Sequence, residues 1–346
     1  MPGEEPKWRR DLSTPSGDGL PGKIIGRDAQ IKALETYLLT AASGRKPVHV
    51  WLHGRPGTGK TTVAKHVTSQ LANNPRVEVA YVNCWQHPTL FLVLQRIVES
   101  LRLLIPDNAN SVVKLNRILS HLGGKPLLLI LDELDKAPPK ERNSILYALT
   151  EMGNVGIIAI SNSRECLFEL EGRVTSRFSP MQIGFDPYSP EHLRLILEEQ
   201  AKSTLTPSSW SPDTLRRCVE LAEGDARVAV NALRTGAEHA AIDSAPVITP
   251  SHIERGWTTA HKLKIQYRLK RLTEHHRLLV EIVDGQGEIS SGLLWATYLQ
   301  RCKDIGLRPV ADRTFSLYIN TLASQGFLNR DRVATPGSIF VLRPAS

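Results

Sequence analysis

The sequence predicts an α/β domain built on a parallel sheet, then a small all-helical domain, then three helices closed by a β-hairpin. Between residues 48 and 183, short apolar runs of strand length alternate with amphipathic stretches of helix length, the pattern that parallel strands with crossover helices produce. After Asp186 the strand signals stop and helical stripes take over. Past Thr273 the pattern reads helix, helix, helix and two short strands, the order found in a winged helix.

Each element has its own signal. Residues 48–52, 77–82, 127–131 and 155–161 are apolar runs bounded by turn residues, and residues 61–71, 90–104 and 140–152 are helix candidates between them. Ser189-Pro190-Glu191 starts a helix, with a serine that can cap and proline at the first helical position; Leu193, Ile196 and Leu197 give its apolar stripe. Helices follow at 212–222 and 226–241, then a proline-containing break at 244–250 and a polar helix from about residue 251 leading into 264–271. The last segment predicts helices at 275–283, 292–305 and 312–325 and strands at 327–332 and 338–342. The expected divisions are a flexible tail at 1–22, rich in proline, glycine and charge, an α/β base at 23–185, a helical domain at 186–263 and the winged helix at 264–346.

Composition narrows the function classes. A chain of 346 residues exceeds one ordinary domain, and 41% hydrophobic with 23% charged residues suits globular cores. The longest aliphatic run, 127–131, is far short of the roughly 20 apolar residues of a membrane span, and the first residues lack the apolar core of a signal peptide. A cytoplasmic protein with no membrane partner is expected. Cys84, Cys166, Cys218 and Cys302 are far apart and form no metal-ligand pair; free thiols are expected. The net charge of +8 is uneven: residues 251–346 hold 14 Lys/Arg against 8 Asp/Glu, which leaves only +2 for the first 250. A basic C-terminal third suits a polyanion; a merely soluble basic surface is the plain alternative.

The densest chemistry lies at Gly54-Arg55-Pro56-Gly57-Thr58-Gly59-Lys60-Thr61, which fits G-x-x-x-x-G-K-[ST] between a strand and a helix. The glycines let backbone N–H groups turn inward around phosphate oxygens, and the helix N-terminus adds partial positive charge. Gly54, Pro56, Gly57, Thr58, Gly59, Lys60, Thr61 and Thr62 are the expected contacts to ATP or ADP. Lys60 is expected on the β- and γ-phosphates and the Thr61 hydroxyl on Mg²⁺. Such a loop needs an acid at the end of a second strand, and Asp132-Glu133 follows the run 127–131. Asp132 is expected on Mg²⁺ through water, and Glu133 to polarise the attacking water. Asp135 reads as a surface or capping residue. Asn162, at the tip of the strand 155–161, either orients the attacking water or serves its turn. Arg173, Arg177 and Arg227 could each approach a γ-phosphate; surface or capping roles are the alternative.

Taken in order, Ile25-Gly26-Arg27-Asp28, the phosphate loop, Val82-Asn83-Cys84, Leu131-Asp132-Glu133-Leu134-Asp135, Ile160-Ser161-Asn162, Arg173-Val174-Thr175-Ser176-Arg177-Phe178 and Gly224-Asp225-Ala226-Arg227 resemble the AAA+ initiators of DNA replication. The likeness is to archaeal proteins related to the origin recognition complex and cell division control protein six. It covers nearly the whole chain from about Lys23, and residues 314–328 resemble that family's winged helix. The resemblance implies an AAA+ P-loop parallel sheet with a helical lid, followed by a C-terminal winged-helix domain. It places Ile24 and Ile25 near adenine. Asn162 becomes a sensor of the γ-phosphate, and Arg227 a second sensor from the lid of the same chain. Arg177 becomes the finger acting on a neighbouring protomer, with Arg173 as the other candidate. It also implies a DNA-contacting insertion, which would fall within 86–105, a stretch that is not notably basic. An archaeal source and nucleoid association are further implications.

In a winged helix the third helix enters the major groove and the wing touches backbone or minor groove. Arg313, Thr314, Ser316 and Asn320 are the expected groove contacts, and Arg330 and Arg332 the wing residues that hold phosphates; Phe315, Ile319 and Leu322 recur at core spacing. A protein-docking module is the alternative use of this fold. The expected function is an ATP-regulated, origin-binding initiator with slow hydrolysis. It would bind double-stranded DNA, self-associate there and help load the replicative helicase. A clamp loader, a branch-migration motor or an ATP-gated DNA-binding regulator stand as alternatives.

Overall fold

The computed structural model describes residues 23–43, 47–71, 74–106, 108–206, 208–270, 272–324, 326–332 and 340–344. The tail expected at 1–22 and the residues between the two wing strands lie outside them, as does the side chain of Arg332.

The base runs α1 (Asp28–Ala42), β1 (Val50–Gly54), α2 (Lys60–Leu71), β2 (Glu78–Asn83), α3 (Leu90–Ser100), α4 (Ser111–Leu122), β3 (Leu127–Asp132), α5 (Pro139–Glu151), β4 (Val155–Ser161), α6 (Glu165–Phe168), α7 (Gly172–Phe178) and β5 (Met181–Phe185). The strands form one parallel sheet in the order β2-β3-β4-β1-β5. Every residue of β3 and β4 is buried, because strand side chains alternate faces and helices cover both. Leu127, Leu129 and Leu131 join Trp51, Val93, Ile118, Leu146 and Phe178 on one face; Leu128 and Ile130 join Leu34, Leu38, Val63 and Val67 on the other. Thus α3, α4, α5 and α7 pack on one side, and α1 and α2 on the other.

Two differences from the sequence reading have local causes. The edge strand β5, which the pattern did not predict, pairs with β1 from Met181 to Phe185; only Ile183 and Phe185 of its residues are buried, too few for a strand signal. Helix α3 stops at Ser100 rather than near residue 104. Arg102 adopts φ 53°, and the amides of Leu103 and Arg102 turn back to the carbonyls of Val98 and Glu99 at 3.0 Å each, a left-handed helix stop.

Helices α8 (Pro190–Thr204), α9 (Pro212–Ala222) and α10 (Ala226–Ile242) pack on one another. Ser189, Ser211 and Asp225 cap them through their side chains. The chain then enters α11 (Pro250–Lys270), within which it divides into two compact units, Met1–Glu254 and Arg255–Ser346.

In the second unit, α12 (Glu274–Gln286), β6 (Ile289–Ser290), α13 (Ser291–Asp304), α14 (Asp312–Ser324), β7 (Leu328–Arg332) and β8 (Phe340–Pro344) enclose a separate core around Leu279, Tyr298, Phe315 and Leu342. The sheet is antiparallel in the order β6-β8-β7, so the two wing strands are joined by a short third one. β6 has only two residues, too short for any periodic signal.

Candidate functional site

The phosphate loop connects β1 to α2 at the carboxyl edge of the sheet, where parallel α/β sheets gather their binding residues. Gly54, Gly57 and Gly59 have φ of 148°, 71° and 88°, open only to glycine at low cost. Each is also crowded: an added Cβ would lie 2.2 Å from the Phe185 carbonyl oxygen at Gly54, 1.7 Å from Asp225 Oδ1 at Gly57 and 2.5 Å from the Tyr188 hydroxyl at Gly59.

Lys60 is buried. Its ammonium donates to the carbonyls of Gly54 and Arg55 at 2.7 and 2.8 Å and to Asn162 Oδ1 at 3.2 Å. Burial, and secondarily the charge of Arg227, pull its pKa down to about 8. Thr61 donates from Oγ1 to Asp132 Oδ2 at 3.0 Å, and the Tyr81 hydroxyl donates to the same oxygen at 2.9 Å. Burial and the Asp132 charge push the Tyr81 pKa up, so the phenol stays a donor. Glu133 sits at φ 53°, an unfavourable backbone region for a non-glycine residue that is concentrated at functional sites. Its Oε2 accepts from Asn83 Nδ2 at 3.3 Å. Asp135, read from the sequence as a surface or capping residue, accepts the Asn162 amide at Oδ1, 3.2 Å away, and its side chain is 12% exposed.

The lid closes on this loop directly. The Ala226 amide donates to the Gly57 carbonyl at 3.1 Å. The Asp225 carboxylate lies against Gly57 while accepting the Arg227 and Val228 amides at 2.8 and 3.2 Å. Arg227, Lys60, Thr61, Thr62, Ile24 and Ile25 line one cavity of about 460 Å³, with α8 contributing Ile196, Gln200 and Ser203. Pro56 and Thr58 belong to the loop itself; Thr58 is buried and its hydroxyl donates to the Arg55 carbonyl at 2.8 Å. Arg27, buried, reaches the Thr58 carbonyl at 3.0 Å and the Asp186 carbonyl at 2.6 Å, with its guanidinium 3.9 Å from the Tyr188 ring centroid. Sequence reasoning missed Tyr81, Tyr188 and the α8 residues, because no motif spacing marks them.

The cavity suits a nucleoside triphosphate: an ammonium, an arginine and a helix N-terminus for phosphates, and isoleucines with an amide for a base. Among the described residues no cluster of three His, Cys, Asp or Glu could hold a metal. A Mg²⁺ ion there would rest on Thr61, Asp132 and oxygens of its nucleotide, as such sites commonly do.

Arg173 and Arg177 do not line the cavity. Both lie on α7, 68% and 48% exposed, paired with Glu171 and Glu151, and their guanidinium carbons stand 5.5 and 5.2 Å from the Tyr147 ring centroid.

In the second unit, Arg313, Ser316 and Asn320 are exposed and Thr314 is half-buried. Phe315, Ile319 and Leu322 are buried, so the polar face of α14 is free of the core. Arg330 donates to Asn320 Oδ1, and its guanidinium carbon stands 3.5 Å from the Phe340 ring centroid. The wing arginine is therefore held against the helix rather than extended. None of the described helices is long and apolar enough to cross a membrane.

Comparison with known proteins matches residues 23–158 to the AAA ATPase domain and 194–257 to the Cdc6 AAA+ ATPase-type lid domain. An ORC1-type DNA replication protein of Sulfurisphaera tokodaii is 33% identical over 92% of this chain and 84% of its own length. One from Thermococcus onnurineus is 30% identical over 89% and 81%. The structure of the Aeropyrum pernix ORC1 protein in complex with DNA aligns with a TM-score of 0.79 and 26% identity, covering 97% of this chain and 92% of that one.

Proposed function

Since this chain belongs to the archaeal ORC1/Cdc6 family of AAA+ DNA replication proteins, we propose that it is an ATP-regulated initiator. It would bind origin duplex DNA through its winged helix and hydrolyse ATP slowly as a timing step, helping to load the replicative helicase. One observation carries the regulation: Arg227 of the lid and Lys60 of the base line a single cavity, so a γ-phosphate between them would hold lid to base.

In this reading Lys60 and Arg227 share the phosphate charge, and Gly54, Pro56, Gly57, Thr58, Gly59 and Thr62 shape its cradle. Thr61 and Asp132 hold Mg²⁺, which when bound would neutralise charge on the phosphate oxygens. Glu133 takes the proton of the attacking water. Asn83 holds that carboxylate, Asn162 orients the water beside it, and Ile24 and Ile25 flank the base. Arg177, or Arg173 beside it, completes a neighbouring chain's site. On α14, Arg313, Thr314, Ser316 and Asn320 face the groove, while Arg330 and Arg332 hold the backbone.

A footprinting titration of the full chain across its source chromosome, with ATP and with ADP, tests this. Protection at discrete replication-start sites that differs between the nucleotides is expected. Protection confined to promoters, or equal with both nucleotides, would sink the initiator reading.

A further inference from the structure

Residue Arg142, on α5, lies outside the nucleotide cavity, yet its side chain is only 5% exposed. Its guanidinium donates to the carbonyls of Asp135 and Ala137 at 3.4 and 3.3 Å and to Glu169 Oε2 at 3.0 Å. Burying a guanidinium against one solvent-facing carboxylate is costly, so simple packing is a poor account of it. What the three contacts share is position. Asp135 and Ala137 belong to the loop after β3, immediately beyond Asp132 and Glu133, and Glu169 belongs to the segment that enters α7.

The neighbouring residue doubles the grip. Asn143, also buried, accepts the amide of Glu171 at 2.9 Å, and Glu171 is the residue before α7. The far end of α7 is anchored by Phe178, fully buried and edge-on to Trp51 at 6.1 Å. On the nucleotide side, Asp135 Oδ1 holds the Asn162 amide at 3.2 Å, and Asn162 Oδ1 takes a hydrogen bond from Lys60 at 3.2 Å. A continuous set of polar contacts thus runs from the phosphate-loop lysine through Asn162, Asp135 and Arg142 to Glu169, ahead of α7, while Asn143 beside Arg142 holds the residue at the start of α7.

We propose that Arg142 is a positioning residue that ties the nucleotide state of its own P-loop to the placement of α7, the helix carrying Arg173 and Arg177. When Lys60 turns to phosphate oxygens, it leaves Asn162 Oδ1 as well as the carbonyls of Gly54 and Arg55, and the Asp135 loop is the shared support of Asn162 and Arg142. The functional consequence rests on the reading of α7 as the donor of an arginine to a neighbouring site: a chain would offer that arginine according to what it has itself bound. A planar guanidinium is needed because one group must reach three acceptors on two segments, which an ammonium cannot do in the same way.

Amide hydrogen exchange of the full chain, with Mg-ATP and with Mg-ADP, reads the coupling at residues 172–178. In the parent protein, exchange there should differ several-fold between the two nucleotides. Glu169→Gln, whose side chain is 58% exposed, and Arg142→Lys should each keep ATP affinity while the difference vanishes. A difference that persists in both variants, or one absent from the parent protein, overturns the proposal. The arginine-donor reading is tested separately by mixing Arg177→Ala with Lys60→Ala chains: absence of rescued hydrolysis would count against that reading and leave the exchange result to judge Arg142.

Discussion

Replacing Gly57 by alanine probes the contact between phosphate loop and lid. At φ 71° an L side chain costs about 1–2 kcal/mol. The added Cβ would lie 1.7 Å from Asp225 Oδ1, so the carboxylate has to move. In moving it gives up the amides of Arg227 and Val228, and loss of such a helix cap costs about 1 kcal/mol. Gly57→Ala should therefore destabilise the first unit by about 2–3 kcal/mol. Asp225→Ala alone should cost about 1 kcal/mol, since it removes the cap without a collision. In the double variant the cap is already absent and no carboxylate remains to be displaced. The double should then cost no more than Gly57→Ala, which is about 1 kcal/mol less than the sum of the singles. Calorimetric unfolding resolves this, because 1 kcal/mol moves Tm by about 2–4 °C in domains of 150–250 residues. Strictly additive costs would refute the coupling and with it the closed arrangement of lid and loop.

Other expectations follow from the same geometry. Burial and Arg227 hold the Lys60 pKa at about 8, whereas phosphate charge would raise it. ATP affinity should stay flat at lower pH, where Lys60 carries its proton both free and bound, and fall by up to about tenfold per pH unit above pH 8, where binding must take up a proton; a calorimetric titration that stays flat through that range removes Lys60 from the phosphates. Glu133→Gln should keep ATP binding and suppress hydrolysis, because the side chain keeps its shape and loses its basicity; wild-type turnover in a phosphate-release assay would exclude the base role. Arg313→Ala should cost about 1–3 kcal/mol on a preferred duplex if its guanidinium pairs with a base edge, with less loss on random duplex. Arg330→Ala combined with Arg332→Ala should lower the log–log salt slope by about one to two on every sequence. Duplex titrations at two salt concentrations distinguish these, and an unchanged slope would leave the wing out of the phosphate contacts.

Much of the architecture was legible in the chain because it depends on short spacing. The unbroken apolar run at residues 127–131 specifies a strand buried on both faces, and Leu129 and Ile130 do lie in different cores. Proline after serine starts α8 and α9 within a residue of where the sequence puts them. The glycines and Lys60 of the phosphate loop are recognisable because their order dictates a backbone path. That Lys60, Thr61, Asp132 and Asn162 converge also follows once the strands are known to be parallel, since Asp132 ends β3, Asn162 follows β4, and Lys60 and Thr61 open the helix that the loop after β1 leads into.

Tertiary structure decided the contacts whose partners lie far apart in sequence and whose residue types are ordinary. Nothing local marks Asp225 as the neighbour of Gly57, Arg27 as the link between Thr58 and Asp186, or Asp135 as the support of Asn162. Each depends on the sheet order and on where the lid returns. The short strands β5 and β6 exist because β1 and β8 offer them unpaired edges, and a backbone that needs a partner for its N–H and C=O groups takes one. Arg330 reads from its neighbours as a free basic residue on a wing. Only the packing of β7 and β8 beside α14 shows it held by Asn320 and Phe340, because a side chain's partners are set by the surface it meets and not by the residues next to it in the chain.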